Sequence, residues 1–307
     1  MIPLWQGSAN SWDCDEMGHM NVRIYVEKAM EGLGSFAASI GMAHAFQPDM
    51  PSTLMPAEHH IRFMREVLPG RPLLMVGCVL EASDTDVLLY QEMRHGDGTP
   101  AAAFRTRLLH VEARTGKPFA WSSRTRAALD TIRGEAPAAT APRSLNMDTP
   151  PRANADVTLN TAIDLGSTVI GQGMFSPQQC DVHGRLRAPW FMGITSDSVP
   201  NLLHDWRQQV ASSVDGSRMG AAVLEYRLVY RRWPRAGDLF EMRSALAKAE
   251  EKTHSLVHWT LDPVTGQAWA TSEAVAVTFD LNTRKVIATP REHMALLETI
   301  APRGLTI

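Results

Sequence analysis

A motif that occurs twice constrains the fold of this chain more than any other feature of its sequence. One Cys, one Asp and one Gly near the N-terminus recur in the second half, each displaced by 166 positions. The first set is Cys14, Asp15 and Gly18, and the second set is Cys180, Asp181 and Gly184. Further along, Glu58 and Gly70 recur as Glu225 and Gly237 at a displacement of 167. Because the register holds over this distance, the sequence predicts one structural unit duplicated within the chain.

The length agrees with a duplication, since 307 residues is about two domains' worth of chain. Residues 133–157 are rich in Ala and Pro and carry no apolar period, a composition typical of a linker. We therefore expect an N-terminal domain over residues 1–132, a linker over residues 133–157 and a C-terminal domain over residues 158–307.

The first half has the periodicity of one long helix. Apolar residues recur at intervals of three and four from Val22 to Ile40, with Asn21 as the N-cap and Gly41 at the C-terminal end. Segments rich in Val, Leu, Phe and Tyr follow the helix, separated by turn residues. They predict strands over residues 58–68, 72–82, 86–94 and 101–113.

The second half repeats this order. A strand precedes a helix that opens with Pro189 and is interrupted by Pro200, and four more strands follow. These strands are expected over residues 168–175, 221–232, 238–248, 254–262 and 268–280. The fold class is therefore α+β, and in each half an antiparallel sheet buries its apolar face by wrapping around the helix.

The residues between the first strand and the first helix form a recognisable pattern. They are an Asp, a Gly and a His, an Asn at the cap and a Tyr in the helix, at Asp15, Gly18, His19, Asn21 and Tyr25. The pattern resembles the signature of hotdog-fold acyl-CoA thioesterases of the 4-hydroxybenzoyl-CoA thioesterase class, as do Asp13 and Cys14 before it. Because the resemblance extends over both halves, the chain resembles a double hotdog, with two tandem hotdog domains.

The resemblance implies hydrolysis of an acyl-CoA thioester at a pocket between two hotdog units. It implies Asp15 as the general base or the nucleophile, with coenzyme A present only as part of the substrate, no other cofactor and no metal. Free amides near the start of the helix, from His19 to Arg23, can stabilise the developing oxyanion. Gly18 permits close backbone approach, and His19 is expected to orient the substrate or the helix entry.

In the second half the motif departs from the family pattern. Asp181 and Gly184 remain, but Arg185 replaces the His, and His183 stands between them. The second site is then either silent, which we favour, or active with His183 in a shifted role.

Other side chains, Tyr25 of the motif among them, are candidates for the pocket of either half. Glu58 and Glu225 each lie near the start of a strand, where a carboxylate can face the pocket, although such a Glu is often a solvated strand end. Arginines suited to the phosphates of coenzyme A also lie on these strands, at Arg62, Arg65, Arg231, Arg232 and Arg235.

Two other function classes fit the same architecture. A hotdog hydratase or dehydratase also uses an Asp with a His, but the spacing and surroundings of the motif differ from that class. A noncatalytic acyl-CoA binding module would keep the pocket without turnover, and the intact Asp15, Gly18 and His19 argue against it. The acyl group is open, since the aromatic residues fit aryl, short-chain and branched groups equally.

Composition excludes several classes of partner. The 30 basic and 33 acidic residues give a net charge of −3, which disfavours nucleic-acid binding. The three cysteines fit neither a disulfide framework nor a zinc site. No segment is apolar enough to target or cross a membrane. We expect a cytoplasmic protein that is a monomeric double hotdog or a higher homo-oligomer.

Overall fold

The chain forms two compact units, each with five strands and one long helix. The computed structural model describes residues 1–213, 219–280, 282–289 and 304–307, without side chains for 203–213 and 219. One unit comprises Met1–Pro142 with Gln179–Trp190, and the other comprises Arg143–Gln178 with Phe191–Ile307. The motif loop of the second half therefore belongs to the same unit as the first motif.

The first unit follows the predicted order of strand, helix and meander. Its elements are β1 (Ile2–Ser8), α1 (Val22–Ser39), β2 (Ser52–Phe63), β3 (Pro72–Ala82), β4 (Asp86–His95), β5 (Pro100–Glu112) and α2 (Ser123–Thr131). The strands are ordered β1-β3-β4-β5-β2, and the neighbouring pairs described are antiparallel. The α+β prediction is therefore confirmed.

Helix α1 buries one face against this sheet. Val26, Ala29, Leu33 and Phe36 are completely buried, as the three- and four-residue spacing predicts. At mid-helix the side-chain amide of Gln91 in β4 donates to the carbonyl of Ala29 at 2.8 Å. The interior of the first unit therefore combines apolar packing with a buried polar contact between sheet and helix.

The predicted start of β2 is wrong, because the strand begins at Ser52 rather than at residue 58 and ends at Phe63. Pro56 in this stretch is a poor residue for a strand interior. It lies beside a β-bulge, where the pairing of β2 with β5 shifts between Pro56 and Glu58. A bulge accommodates a residue that cannot donate to the ladder, so the strand continues through it.

The second unit repeats the order of one strand, one long helix and four strands, with a short helix before the first strand. Its elements are α3 (Leu159–Asp164), β6 (Thr168–Met174), α4 (Ala188–Ser213), β7 (Met219–Tyr230), β8 (Leu239–Ala249), β9 (His254–Leu261) and β10 (Ala268–Asp280). The strands are ordered β7-β10-β9-β8-β6 in antiparallel pairs. The first three residues of α4 belong to the first unit.

The predicted interruption of α4 at Pro200 is wrong, because the helix continues through this residue to Ser213. Proline has no backbone N–H to donate to the carbonyl four residues earlier. Long helices accommodate the missing hydrogen bond with a local bend. The next residue, Asn201, donates from its side chain to the carbonyl of Ile170 in β6 at 2.7 Å. This tertiary contact holds the turn of helix that follows the proline.

Buried and half-buried arginines hold the Ala- and Pro-rich segment against both units. In the first unit Arg62 donates to the carbonyls of Ala139 and Ala141 at 2.8 and 2.9 Å. In the second unit Arg227 donates to the carbonyls of Asn146 and Thr149 at 2.8 and 2.9 Å. The segment is therefore ordered by side chains that satisfy its backbone acceptors.

The helices are too short or too polar to cross a bilayer. This holds for every helix in the part of the chain that the structure describes.

Candidate active site

The first motif forms a tight turn between β1 and α1. Cys14 and Met20 pair in an isolated antiparallel bridge that closes the turn. Inside it, the amide of Asp15 donates to the carbonyl of His19 at 3.0 Å, and the amide of Gly18 donates back to the carbonyl of Asp15 at 3.0 Å. Gly18 has φ of +80°, a conformation that disfavours any side chain. The sequence spacing between Asp15 and His19 is therefore fixed by the geometry of this turn.

Two backbone hydrogen bonds fasten the turn to its surroundings. The amide of Asn21 donates to the carbonyl of Asp13 at 2.9 Å, and the amide of Met20 donates to the carbonyl of Val67 at 2.8 Å. The side chain of Asn21 accepts from the amide of Arg23 at 2.9 Å and caps α1, as predicted. The turn therefore has a fixed position at the N-terminus of the helix.

The two acidic residues of the motif have different surroundings. The carboxylate of Asp13 is buried and accepts a hydrogen bond from the amide of Asn10 at 2.9 Å. Among the described residues, the carboxylate of Asp15 accepts one hydrogen bond, from the amide of Met17 to Oδ1 at 3.0 Å. Asp13 is therefore buried within its own loop, and Oδ2 of Asp15 has no hydrogen-bond donor among those residues.

That oxygen faces an imidazole. Oδ2 of Asp15 lies 3.6 Å from Nδ1 of His19, beyond a direct hydrogen bond, and both side chains are 13% exposed. Nε2 of His19 is buried and has no hydrogen-bond partner among the described residues. The pair thus presents a half-buried carboxylate beside a ring nitrogen that can still bond to a ligand.

The amides around the helix start can be assigned individually. Those of Met20, Asn21 and Arg23 donate to protein acceptors, as described above. Within the described residues, the amides of His19 and Val22 have no protein acceptor. Of the five amides predicted as oxyanion donors, these two remain available for a ligand.

Tyr25 lies in the first turns of α1 and is buried. Its ring packs edge-on against Phe63 of β2, with 5.2 Å between ring centroids. Burial raises the pKa of its hydroxyl, which also forms a hydrogen bond with the backbone of Val67. The same Val67 accepts from the amide of Met20. Tyr25 therefore supports the segment on which the motif turn rests.

The two predicted pocket carboxylates both lie beside β-bulges. Glu58 follows the bulge of β2 and lies opposite Arg107 of β5 in the strand register. Glu225 in β7 is buried, and its two oxygens accept from the amides of Arg143 and Ser144 at 3.0 and 2.7 Å. Glu225 therefore binds the linker segment in the second unit.

The second motif folds into the same turn. Cys180 and Leu186 form the bridge, the amide of Asp181 donates to the carbonyl of Arg185 at 2.7 Å, and that of Gly184 donates to the carbonyl of Asp181 at 3.0 Å. Gly184 has φ of +74°. The backbone of the motif has thus been kept in both copies.

The carboxylate of the second motif is more fully occupied than that of the first. Oδ1 of Asp181 accepts from the amides of His183 and Arg185 at 2.8 and 2.9 Å, and Oδ2 lies 3.4 Å from Nε of Arg185. Asp181 is also 35% exposed. His183 occupies the position of Met17 in the first turn and contributes its amide, so it does not take the place of His19.

The predicted arginines are bound mainly within the protein. Arg62 contacts the linker segment as described, and Arg231 contacts the same segment in the second unit through the carbonyl of Arg152 at 2.9 Å. Arg232 lies 3.4 Å from the carboxylate of Asp262. Each of these three side chains therefore makes a contact within the protein, although Nη2 of Arg231 is buried without a hydrogen-bond partner among the described residues.

Within the described ranges, no three His, Cys, Asp or Glu side chains are grouped as they would be around a metal ion.

Comparison with known proteins places the chain in a family. The model of the thioesterase-like superfamily matches residues 10–129 and 175–297, one segment in each half, and the chain belongs to this superfamily. No curated protein sequence matches the chain.

Solved structures with the same fold include two thioesterases. An acyl-ACP thioesterase from Bacteroides thetaiotaomicron is similar with a TM-score of 0.63 at 12% identity, covering 89% of this chain and 96% of that one. A 12:0-ACP thioesterase from Umbellularia californica is similar with a TM-score of 0.65 at 10% identity, covering 89% and 93%. At these identities the likeness concerns the fold, which is that of two tandem hotdog domains.

The role of Gly18 can be tested against a second glycine with an equally open environment. A Cβ at Gly18 or at Gly34 of α1 would meet no atom within 4 Å, but only Gly18 has a positive φ. We expect Gly18→Ala to lower the free energy of unfolding by about 1–2 kcal/mol through backbone strain. Gly34→Ala is expected to raise it by about 0.5–1 kcal/mol, because alanine favours a helix. Urea denaturation measures both, and a destabilised Gly34→Ala with an unchanged Gly18→Ala would contradict this account.

The structural role of Glu225 predicts an effect on stability alone. In Glu225→Gln one side-chain oxygen can still accept from a linker amide, but the new NH2 group faces the other backbone N–H, which then has no acceptor. The free energy of unfolding is therefore expected to fall by about 1–3 kcal/mol. Turnover per folded molecule should stay at the wild-type level. A loss of turnover with unchanged stability would instead place this carboxylate in the pocket.

Proposed function

We propose that the chain hydrolyses acyl-CoA thioesters to the free acid and coenzyme A, with Asp15 as the reacting carboxylate. The observation that carries the proposal is the state of this side chain. Among the described residues its carboxylate accepts one hydrogen bond, its Oδ2 lies 3.6 Å from Nδ1 of His19, and the amides of His19 and Val22 near the start of α1 have no protein acceptor. Membership of the thioesterase-like superfamily supports thioester hydrolysis as the reaction class.

The amides of His19 and Val22 supply the electrophilic part of the site. Attack on the thioester carbonyl places negative charge on its oxygen, and fixed N–H donors stabilise this charge more than they stabilise the substrate. The partial positive charge at a helix N-terminus acts in the same direction. No cationic side chain is needed for this step.

Asp15 can complete the reaction by two routes. As a general base it takes a proton from water while the water oxygen bonds to the carbonyl carbon, and the C–S bond then breaks with the proton passing to the thiolate. As a nucleophile it bonds to the carbonyl carbon itself, expels the thiolate and leaves a mixed anhydride that water hydrolyses. Both routes require the unoccupied oxygen of Asp15.

Asp181 is less suited to either route. Three donors already bind its two oxygens, and one of them is a guanidinium. The proposal therefore assigns turnover to the first motif.

Paired substitutions of the two acidic residues test this assignment. Asp15→Asn is expected to lower kcat by about a hundredfold to ten-thousandfold, because the amide neither accepts the proton nor attacks the carbonyl. In Asp181→Asn, the matched control, kcat at saturating substrate is expected to stay within about fivefold of the wild type, since Asp181 takes no part in the proton transfer. Thiol release from a panel of acyl-CoA substrates measures both variants.

Three results would overturn the assignment. Equal losses in the two variants would make both motifs participants in turnover. Acyl-CoA binding without thiol release by the wild type would indicate a binding module. Hydration of an enoyl-CoA without thiol release would indicate the lyase class.

His19 is proposed as a positioning residue that orients the thioester through its free Nε2. His19→Gln keeps a side-chain donor, and we expect it to lower kcat/KM by about tenfold to a hundredfold, less than Asp15→Asn. The pH profile of kcat should keep the wild-type shape, because the proton acceptor is unchanged. A loss as large as that of Asp15→Asn, with an altered pH profile, would instead make His19 the base.

A further inference from the structure

The guanidinium of a buried arginine in the second motif contacts one oxygen and one sulfur among the described residues. Arg185 is 6% exposed. Its Nε lies 3.4 Å from Oδ2 of Asp181, and its Nη1 lies 3.1 Å from the sulfur of Met55 in β2. These are its side-chain contacts among the described residues. A thioether is a weak acceptor, so the two terminal nitrogens of the guanidinium lack an oxygen partner there.

The guanidinium groups of two other arginines in the chain each make two contacts to oxygen. Arg227, equally buried, donates from Nη1 to two backbone carbonyls at 2.8 and 2.9 Å. Arg243 contacts the carboxylate of Glu241 at 2.6 Å and the carbonyl of Ser167 at 2.9 Å. Arg185 has fewer oxygen contacts among the described residues, so its terminal nitrogens can bind an anion without giving up an oxygen partner within the protein.

The position of Arg185 in its turn is that of His19 in the first motif. The carbonyls of both residues accept a hydrogen bond from the amide of the motif Asp, and both residues follow a glycine with positive φ. The duplicated turn therefore presents an imidazole in one copy and a permanent cation in the other. The contact between Asp181 and Nε orients the guanidinium and leaves its terminal nitrogens for a ligand.

We propose that the second motif turn binds an anionic group of the thioester substrate through Arg185, with Met55 beside it. This inference rests on the proposed function and adds a substrate class to it. Two oxygens of a carboxylate or a phosphate match the two terminal nitrogens of a guanidinium. The anion is either a second carboxylate on the acyl group or a phosphate of coenzyme A.

Four substrates separate the two sources of the anion. They are glutaryl and pentanoyl thioesters, each carried on coenzyme A and on N-acetylcysteamine, which has no phosphate. In Arg185→Gln, loss of the charged hydrogen bonds is expected to raise KM for the anionic substrates by about ten- to a hundredfold, with little change in kcat. If the bound anion is the carboxylate of the acyl group, KM rises only for the two glutaryl thioesters. If it is a phosphate, KM rises only for the two coenzyme A thioesters.

Arg185→Lys is the conservative control, because it keeps the charge but not the planar fork. It is expected to give a smaller rise in KM for the same substrates. An equal change in KM for all four substrates, or no change for any of them, would overturn the proposal.

Binding to the wild-type protein gives a readout that needs neither turnover nor a folded variant. Glutarate and adenosine 3′,5′-bisphosphate represent the two anions, and isothermal titration measures each. The proposal expects saturable binding of one of them, lost in Arg185→Gln where that variant folds. No binding of either would overturn it. Binding without thiol release from any substrate would leave the anion site standing and refute the hydrolase assignment instead.

Discussion

The site depends on two backbone hydrogen bonds that fasten the motif turn to the start of α1. They run from the amide of Asn21 to the carbonyl of Asp13 and from the amide of Met20 to the carbonyl of Val67. Among the described residues, these bonds use the amides of Met20 and Asn21, while the amides of His19 and Val22 have no protein acceptor. They also hold the turn in which Oδ2 of Asp15 lies beside the imidazole of His19. Geometry of this kind is fixed before a substrate arrives, which is the condition for electrostatic catalysis.

Duplication has preserved the backbone of the turn while its chemistry has changed. Both copies close with the same bridge, the same reciprocal hydrogen bonds and a glycine at positive φ. The residue after that glycine differs, being His19 in one copy and Arg185 in the other. An imidazole beside the carboxylate of Asp15 suits the proposed hydrolysis, and a guanidinium suits binding of a negative charge. On this account, one copy carries out the reaction and the other recognises the substrate.

Local patterns in the sequence predicted much of the fold. The spacing of apolar residues predicted α1, and the fixed displacement between motifs predicted two similar units. Predictions failed where tertiary contacts decide the outcome. Pro56 lies beside a bulge of β2, and the helix turn after Pro200 is held by Asn201 on β6. The partners of Glu225 come from the linker segment about 80 positions away, a distance over which one sequence carries no pairing signal. The free oxygen of Asp15 likewise depends on hydrogen bonds, which residue types alone do not specify.

The central claim concerns the place where the thioester is held relative to Asp15. A crystal structure of the Asp15→Asn variant with an intact acyl-CoA tests it most directly. We expect the carbonyl oxygen to accept from the amide of His19 or Val22, with its carbon about 3–3.5 Å from the side chain at position 15 or from one intervening water. A thioester bound beside Asp181, or one whose carbonyl is remote from the start of α1, would contradict the account.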